Sequence, residues 1–385
     1  MLFIRSLVTI AAFAGLGLAA AYSLLTVIAA CVWRMRGTPK NPGTLPPVTL
    51  LKPLCGAEPG LYEHLRSFCR QNYPLYQIVF GVRDPGDPAC AIVRRLAAEF
   101  PKVSIELVIN PQLHGSNLKI SNLINMLPYA RHDILLMVDS DAYVGSDYLA
   151  AVTAPLSDHS AGLVTCIYRA VPTPRLWSRL GAMYINEWYV PSVLLAWLFG
   201  HQGYVSGQTV GLRRETLQAI GGLRPLANHL ADDYQLGELV RGLGLRVVLS
   251  PYVVRGVHHE PSFSSLAHHE LRWMRTIRVL RPLSFRLLFI SFCLPLALLG
   301  LLGAAGSSLS ADARTLFAAT VTARLILHVV HRPRDARSAM SDLWLLPIRD
   351  ALIFWVWGRS FFTSHVTWRG NEFDVDADGV MRPLP

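Results

Sequence analysis

Short apolar segments alternate with amphipathic segments between positions 48 and 141. The apolar segments are VTLLKPL (48–54), QIVFGVRD (77–84), VSIELVIN (103–110) and DILLMVDSD (133–141). Runs of this kind are typical of strands that are buried on both faces of a parallel sheet. Helical patterns separate them at 60–72, 88–99 and 117–128. The alternation predicts an α/β fold with a doubly wound, Rossmann-like sheet, whose ligands bind beyond the carboxyl ends of the strands.

A long apolar run precedes this region. Leu7 to Trp33 contains 27 residues without a charge, enough to cross a bilayer of about 30 Å. A cleaved signal peptide is the alternative, but the run is too long for one and no clear small-residue cleavage site follows it. Arg34 and Arg36 follow the run, whereas Arg5 alone precedes it. This charge bias predicts a transmembrane anchor, with the rest of the chain in the cytoplasm.

Three further apolar runs follow the α/β region, at 287–306, 316–330 and 344–357. Pro295 interrupts the first run, and Arg324 lies within the second. The third contains Arg349 and Asp350. Ionisable groups at membrane depth usually face a bundle interior or a wet cavity. We therefore expect the second and third runs to be re-entrant, interfacial or packed against other helices.

These patterns divide the chain into six predicted parts. They are an anchor (1–36), a Pro/Gly-rich linker (37–47), a cytoplasmic α/β domain (48–262), an interfacial amphipathic helix (263–286), membrane helices (287–370) and a tail (371–385).

The composition indicates an anionic partner. The 385 residues are 52% hydrophobic and 16% charged, with a net charge of +10. Lipid headgroups or a phosphate-bearing substrate fit this charge better than nucleic acid, because the arginines cluster beside apolar runs. The six cysteines form no CxxC pair. They predict reduced thiols rather than disulfides or a zinc ribbon.

The strongest chemical signal is Asp139-Ser140-Asp141, which follows the apolar residues ILLMV. Two carboxylates one residue apart at a strand end can bind a divalent cation, which in turn holds a diphosphate. A strand-terminating turn is the alternative explanation of this motif. The buried strand before it and the motifs described below favour the metal site.

Two other segments suit a nucleotide. Asp84, at the end of the second strand, can accept hydrogen bonds from a base or ribose, although a turn residue is an equal alternative. Asn117 and Lys119 lie where a helix begins, and a helix N-terminus binds phosphate or uridine oxygens. Ordinary helix capping by Ser116 or Asn117 explains much of that motif without a ligand.

Asp232 and Asp233 begin another predicted helix. Acidic residues in a first turn are favoured by the helix dipole, so a purely structural role is a strong alternative. Adjacent acids point in different directions, however. One can therefore cap the helix while the other acts as a general base.

The helix predicted at 263–286 is amphipathic. Its arginines, at 272, 275, 278 and 281, spread over about half of the circumference, opposite Trp273, Ile277 and Leu280. Such a helix can lie at a membrane interface with its arginines toward phosphates, or serve only as a basic anchor. The HHE triplets at 258–260 and 268–270 fit no zinc-ligand spacing.

Two further segments have features of ligand-binding sites. The aromatic-rich stretch at 184–200, with Glu187, Trp188 and Trp197, can line an entry for a lipid or form a buried core helix. Asp374 to Gly379 resembles the start of an EF-hand loop. The position that needs glutamate holds Pro385, so we reject calcium binding there.

The motifs described above occur in the same order as in a known protein family. The motifs are Asp84, GSNLK-ISNL (115–123), DSD (139–141), SGQTVGLRRETLQAIGGL (206–223), ADDY (231–234) and HELRW (269–273). Between Val48 and Arg281 the chain resembles membrane-bound, inverting GT-A glycosyltransferases, above all the ceramide glucosyltransferase family. The stretches KPLCG, SFCRQNYP, VINPQLHGSN and HELRWMRTIR resemble still more closely a subgroup that acts in bacterial hopanoid biosynthesis.

The resemblance implies roles for individual residues. Asp84 would contact uridine, and Asp139 with Asp141 would hold the diphosphate through Mg²⁺ or Mn²⁺. Asp233 would be the catalytic base, beside a helix-capping Asp232. The donor site would be completed by the family's (Gln/Arg)-x-x-Arg-Trp motif. Arg272 and Trp273 match the end of that motif, whereas His269 replaces its first residue, which leaves the role of His269 open.

The resemblance also implies the reaction, an inverting transfer of a hexose from a UDP-sugar to a hydroxyl of a membrane lipid. The subgroup implies N-acetylglucosamine and bacteriohopanetetrol, and UDP-glucose with ceramide is the alternative. The expected location is the bacterial inner membrane, with a cytoplasmic catalytic domain. No nucleic acid partner is expected.

Two other classes compete with this interpretation. A processive polysaccharide synthase needs several crossing helices for its channel, and the sequence offers one clear anchor and two or three later segments. A non-catalytic membrane scaffold would be expected to have lost at least one acidic residue. All four motif positions, 84, 139, 141 and 233, hold aspartate.

Overall fold

The computed structural model describes residues 2–37, 45–201, 203–331, 340–362, 365–368 and 371–383. Its contacts divide the chain into two compact units. The sheet unit comprises 36–171, 201–257 and 371–385, and the helical unit comprises 1–35, 172–200 and 258–370. Most of the predicted linker at 37–47 lies outside the described residues, which omit 38–44.

The elements have the following bounds. The strands are β1 Val48–Pro53, β2 Tyr76–Val82, β3 Ser104–Ile109, β4 Ile134–Met137, β5 Ala142–Tyr143, β6 Ala161–Pro172, β7 Val210–Arg213, β8 Arg246–His258, β9 His365–Trp368, β10 Asn371–Val375 and β11 Met381–Pro383. The helices are α1 Leu2–Met35, α2 Leu61–Phe68, α3 Ala89–Glu99, α4 Leu118–Met126, α5 Tyr148–Thr153, α6 Leu176–Tyr184, α7 Val190–Leu198, α8 Arg214–Ala219, α9 Asp232–Gly242, α10 Phe263–Leu280, α11 Pro282–Arg286, α12 Cys293–Gly303, α13 Ser310–Val330 and α14 Leu345–Ser360.

The sheet unit is built on eight strands in the order β3-β2-β1-β4-β7-β6-β8-β5. The four predicted strands pair in parallel, β3 with β2, β2 with β1 and β1 with β4. The rest of the sheet is antiparallel where β7 joins β4 and β6, and where β5 joins β8. The strand order reverses between β1 and β4. A doubly wound sheet binds its ligands at such a reversal, outside the carboxyl ends of the strands.

Alternate residues of the central strands enter two separate cores. Leu50 and Leu136 pack in one core with helices α2, α3 and α5. Leu51 and Leu135 pack in the other with α4, α8 and α9. Because successive strand residues point to opposite faces, near-continuous apolar strands need helices on both sides. The prediction of a sheet covered on both faces is confirmed.

Several element boundaries differ from the sequence prediction. Strand β4 ends at Met137 rather than 141, so the DSD motif lies in the connection to β5. Helix α2 ends at Phe68 rather than 72. Helix α4 ends at Met126 because Pro128 follows, and a 3₁₀ turn, Leu127–Tyr129, replaces its predicted last residues.

In the helical unit, α1 packs against α7, α12 and α13. The contact with α12 is very close at two small residues of that helix. A Cβ atom at Gly300 would lie 2.4 Å from Cβ of Leu16, and one at Gly303 would lie 2.5 Å from Cβ of Ala12. Small residues that let backbones approach are typical of helix pairs in membranes.

Within the described residues, two helices are long and apolar enough to cross a membrane, Ser6–Met35 and Ser310–Val330. A third candidate consists of Pro282–Ser291 and Cys293–Gly303, which meet at a bend of 65°. The sequence placed the interruption at Pro295, but the break is at Phe292. Pro295 lies in the first turn of α12, where a missing N–H is tolerated.

The predicted interfacial helix is two helices. Helix α10 ends at Leu280, and α11 begins at Pro282. Arg281 between them is not helical, because the residue before a proline is sterically disfavoured in the helical region.

The charged residues of the second and third apolar runs face protein. The guanidinium of Arg324 donates to Glu187 at 2.7 Å and to Asp350 at 3.0 Å. Nδ1 of His328 lies 2.7 Å from Glu187. These four residues are all buried in the helical unit. The expectation that such groups face the interior is confirmed.

The predicted domain boundaries remain a prediction. The contacts assign 172–200, which the sequence placed in the α/β domain, to the helical unit. They also assign the predicted tail at 371–385 to the sheet unit.

Candidate active site

The DSD motif lies at the carboxyl edge of the parallel strands. The N–H of Val138 donates to the carbonyl of Leu51 at 3.1 Å, which extends the pairing of β4 with β1 by one residue. Asp139 therefore follows the sheet directly, at the reversal of strand order. This is the predicted position for a nucleotide site.

A buried lysine contacts the backbone of the DSD motif. Nζ of Lys52, on β1, donates to the carbonyl oxygen of Asp139 at 2.8 Å and lies 3.7 Å from the centre of the Phe68 ring. The side chain has no exposed surface. Burial lowers the pKa of Lys52 to about 7, although the charges of Asp139 and Asp141 act to raise it.

Gln208 fixes the second carboxylate of the motif. Its Nε2 donates to both oxygens of Asp141, at 2.9 and 3.0 Å. Burial and the neighbouring charge of Asp139 raise the pKa of Asp141 to about 7. A neutral amide, rather than a cation, thus holds the Asp141 carboxylate in position.

Lys119, on α4, joins the motif to the acidic pair on α9. Its Nζ lies 2.7 Å from Oδ1 of Asp139 and 3.5 Å from Oδ2 of Asp232. Burial acts to lower the pKa of Lys119, but the two carboxylates hold it well above its usual range. A charged ammonium group therefore links the DSD motif to Asp232, the neighbour of the predicted base.

The predicted base, Asp233, lies on the same site. Its Oδ2 accepts a hydrogen bond from the N–H of Gly207 at 3.0 Å, and Oδ1 accepts one from the N–H of Tyr234 at 2.8 Å. Burial and the charge of Asp232 raise the pKa of Asp233 to about 6. A carboxylate with this pKa is ionised at neutral pH and is more basic than an ordinary aspartate.

Gly207 occupies the space between these groups. A Cβ atom there would lie 2.9 Å from Nζ of Lys119, 3.2 Å from Oδ2 of Asp139 and 3.7 Å from Oδ2 of Asp233. The two carboxylates therefore lie within 4 Å of one point. Because residue 207 has no side chain, it does not fill the space beside the two carboxylates.

The donor set at the DSD motif suits a divalent cation. Carboxylate oxygens are the ligands that Mg²⁺ and Mn²⁺ prefer, and Mg²⁺ commonly uses one or two of them together with substrate phosphates. A cation would also relieve the repulsion that raises the pKa of Asp141. In the part of the chain that the structure describes, no group of three or more His, Cys, Asp or Glu residues is arranged to hold a metal without substrate.

The helix-capping predictions are partly wrong. Asn117 caps α4, since its Oδ1 accepts from the N–H of Ile120 at 3.0 Å. Its amide nitrogen donates to the carbonyl of His229 at 2.9 Å and to Asp232 at 3.3 Å, and the side chain is fully buried. We therefore expect any effect of Asn117 on donor binding to be indirect. Asp232 does not cap α9, whose N-cap residue is Ala231, because its carboxylate is turned toward Lys119 and Asn117.

Asp84 lies in an exposed turn after β2. Its Oδ1 accepts from the N–H of Gly86 at 2.8 Å, as in the turn that the sequence offered as an alternative. The predicted contact of Asp84 with uridine remains a prediction.

The remaining donor-motif residues belong to α10 in the helical unit. Nδ1 of His269 lies 2.8 Å from Oε1 of Glu260, so the two HHE triplets meet at this pair. The His269 ring lies 4.1 Å from that of Trp273, which stacks on Tyr184 at 5.3 Å and 29°. His269 is thus held by a carboxylate and an aromatic ring, a setting that its position in the sequence did not indicate.

A buried ion pair also holds this helix. The guanidinium of Arg349, on α14, donates to both carboxylate oxygens of Glu270 at 2.6 and 2.7 Å. Its Nη1 also donates to the carbonyl of Leu180, on α6, at 3.2 Å. Both side chains of the pair are at most 2% exposed. The buried face of α10 is Leu266, Ala267, Glu270 and Met274, whereas Trp273, Ile277 and Leu280 of the predicted apolar stripe are half-buried. The contact of that stripe with a membrane remains a prediction.

The predicted lipid-entry residues are engaged within the helical unit. Glu187 lies on a π-helical segment, Ile185–Tyr189, and is the buried partner of Arg324. Nε1 of Trp188 donates to Ser291 at 2.8 Å, and the Trp197 ring lies 5.0 Å from that of Trp33. For Glu187 this favours the buried-helix alternative, and the lipid-entry role remains a prediction.

Sequence reasoning missed four residues that organise the two regions: Lys52, Gly207, Gln208 and Arg349. A charged residue inside the apolar segment VTLLKPL was the available signal for Lys52. Gly207 and Gln208 belong to the SGQ segment, whose only signal was its resemblance to the family. Arg349 was expected to face protein, but its partner lies 79 residues away and could not be inferred.

The mixed sheet, the carboxylates at its edge and the apolar helices define a GT-A glycosyltransferase with membrane helices. The chain matches the family described as Glycosyl transferase family 21 over residues 13–381. It belongs to that family and is a glycosyltransferase, as predicted. Its two long apolar helices fit the predicted membrane protein.

The chain is similar to two ceramide glucosyltransferases of Caenorhabditis elegans. It is 24% identical to ceramide glucosyltransferase 3 over 372 residues, which cover 91% of this chain and 77% of the relative. It is 25% identical to ceramide glucosyltransferase 1 over 227 residues, which cover 57% of this chain and 47% of that relative. The second match thus spans about half of the relative's length.

The fold is similar to that of a solved glycosyltransferase structure. That structure is a mannosyltransferase from Pyrobaculum calidifontis in complex with GDP-Man and Mn²⁺, and it superimposes with a TM-score of 0.51. The sequences are 19% identical, and the match covers 93% of this chain and 99% of the other. The likeness confirms the predicted GT-A fold.

We predict that Gly207→Ala lowers activity at least about 10-fold with little loss of stability. The added methyl group displaces Nζ of Lys119 and fills the space beside Asp139 and Asp233, and small misplacements at a reacting centre cost up to about 100-fold. The measurement is initial rate together with Tm. Gly242→Ala, at the end of α9 with no atom within 4 Å of the new Cβ, is the control and should keep full activity. Equal rates for Gly207→Ala and wild type would contradict this geometry.

Proposed function

We propose that the protein transfers a hexose from a UDP-sugar to a hydroxyl group of a membrane lipid, with inversion at the anomeric carbon. The observation that carries the proposal is the approach of Asp139 and Asp233 to one point beside Gly207. A base and a diphosphate-binding carboxylate at this spacing suit a single displacement. Membership of glycosyl transferase family 21 supports the same reaction class.

Asp233 is the proposed general base. Its carboxylate takes the proton from the lipid hydroxyl while the hydroxyl oxygen forms its bond to the anomeric carbon. The bond between that carbon and the diphosphate oxygen breaks in the same step, and UDP leaves with the electron pair. The pKa of about 6 keeps Asp233 ionised at neutral pH.

The diphosphate is the second charged group in the reaction. Asp139 and Asp141 would hold Mg²⁺ or Mn²⁺, which when bound neutralises the negative charge that grows on UDP. Lys119 is the cationic side chain already beside Asp139, at 2.7 Å. From the family motif we assign further donor contacts to His269, Arg272 and Trp273, and a uridine contact to Asp84.

Ceramide with UDP-glucose is the acceptor and donor pair that the relatives favour. Both of the relatives described above are named ceramide glucosyltransferases. The first expectation, N-acetylglucosamine on bacteriohopanetetrol, is carried only by the similarity of short sequence stretches and is our second candidate. We place the acceptor at the aromatic stretch around Trp188 and Trp197, and the catalytic domain in the cytoplasm, at the inner membrane if the source is bacterial.

Asp233→Asn should reduce turnover by about 10²–10⁴-fold, because an amide of nearly the same shape cannot accept the proton. Binding of the UDP-sugar should change little. In the wild type, kcat/KM should fall as the pH drops below about 6, since the raised pKa means that protonation removes the base there. The control, Asp232→Asn, should have a milder effect, and the opposite ranking would reverse the assignment.

Asp139→Ala should weaken donor binding and remove the metal dependence, because one of the two carboxylates that hold the cation is lost. The measurement is donor KM as Mg²⁺ or Mn²⁺ is titrated. Asp158→Ala, at a surface ion pair with Arg246, is the control and should behave as wild type. Full wild-type activity after complete chelation with EDTA would end the metal assignment.

The acceptor is tested by UDP release from purified enzyme in lipid nanodiscs. UDP-glucose with ceramide and UDP-N-acetylglucosamine with bacteriohopanetetrol are compared, with product masses determined. We expect release only when a lipid acceptor is present, fastest with ceramide, and one sugar per lipid. Faster release with bacteriohopanetetrol would favour the second candidate, and a ladder of masses would indicate a processive synthase. No release with any pair would contradict the proposed function.

A further inference from the structure

The segment that resembles an EF-hand loop forms the turn of a β-hairpin. Strands β10 and β11 pair antiparallel, with Val375 opposite Met381. Oδ1 of Asp376 accepts from the N–H of Asp378 at 3.1 Å and of Val380 at 3.0 Å. Gly379 has a φ of 81°, a conformation that favours glycine. The carboxylate of Asp376 therefore stabilises a tight turn.

The free edge of this hairpin pairs with the loop at 227–230. The N–H of Leu230 donates to the carbonyl of Gly379 at 3.0 Å, and the N–H of Met381 donates to the carbonyl of Asn228 at 2.8 Å. His229 and Val380 form an antiparallel bridge between these two bonds. The loop is thus held along its backbone as an added strand would be.

The same loop holds the start of α4. The carbonyl of Ala227 accepts from the N–H of Asn117 at 2.8 Å, and Oδ1 of Asn228 accepts from the N–H of Ser116 at 2.9 Å. Oγ of Ser116 donates to the carbonyl of Met381 at 3.3 Å. A Cβ atom at Gly115 would lie 2.4 Å from the carbonyl oxygen of Ala227, so the packing leaves no room for a side chain there.

These contacts converge on the candidate active site. The 227–230 loop leads into α9, which begins with Asp232 and Asp233, and α4 carries Lys119 in its first turn. Lys119 and Asp232 form an ion pair at 3.5 Å. The hairpin lies outside the eight-stranded sheet. Its hydrogen bonds therefore hold the N-terminal ends of α9, which carries the predicted base, and of α4, which carries the cationic side chain.

We propose that the hairpin at 371–383 is a positioning element of the active site, with Gly379 and Met381 as its positioning residues. The proposal rests on the proposed function, because it assigns Asp233 the role of base. The hairpin fixes the start of α9 relative to Asp139. Loosening it lowers turnover more than it lowers affinity for the donor.

The test uses two substitutions in the full-length protein. Met381→Pro removes the N–H that bonds Asn228, on the edge of β11 that faces away from β10. Gly379→Ala strains the turn that presents the carbonyl to Leu230. The controls are Met381→Leu, which keeps the N–H and the buried volume, and Gly222→Ala, which strains a glycine at φ 76° with no atom within 4 Å of the new Cβ.

We expect both test variants to lower kcat by about 10- to 100-fold, the loss typical of a misplacement of about 1 Å. Donor KM should change less than about 3-fold, and the controls should keep wild-type kcat. Rates are measured well below the Tm of each variant, so that a loss of stability alone leaves kcat unchanged. Wild-type kcat in Gly379→Ala with a lowered Tm would overturn the proposal, even if Met381→Pro fails to fold. If Asp233→Asn is also fully active, the proposed function fails instead.

Discussion

Charge balance around Lys119 is the constraint on which the candidate site depends. Asp139, Asp141, Asp232 and Asp233 lie together at one edge of the sheet, where burial makes their mutual repulsion costly. Lys119 pairs with the first and third of these carboxylates, and Lys52 supports the motif from inside the sheet. The lysines offset part of the negative charge, and the remainder can attract a cation and its diphosphate.

This balance requires short distances, and the backbone provides them. Gly207 and Gly115 lie where any side chain would meet a charged group or a carbonyl oxygen. The start of α9 is reached by a loop whose carbonyls and N–H groups are shared with α4 and with a hairpin distant in sequence. The positions of the acidic residues thus follow from main-chain hydrogen bonds, which substitution of surface side chains leaves intact.

The sequence predicted the parallel half of the sheet, the apolar helices and the acidic motifs, because each depends on a local pattern. Four apolar runs predict four strands wherever they pair, and Asp139 follows one of them. The antiparallel half could not be predicted in this way, since β6 and β8 are long strands without clear boundaries. Contacts between residues that are distant in sequence could not be predicted either. The contact between Glu260 and His269 is one example, and the hydrogen bond from Gln208 to Asp141 is another. Both form only because the tertiary fold brings these residues together.

The pair between Glu270 and Arg349 has a consequence for the order of assembly during synthesis. Glu270 sits in the middle of the buried face of α10, and its partner is translated 79 residues later. A carboxylate without its partner in such a place is strongly unfavourable. We therefore expect α10 to stay in water or at the lipid headgroups until α14 has left the ribosome. The helix that carries the Arg-Trp motif would then be among the last parts of the protein to reach its native packing.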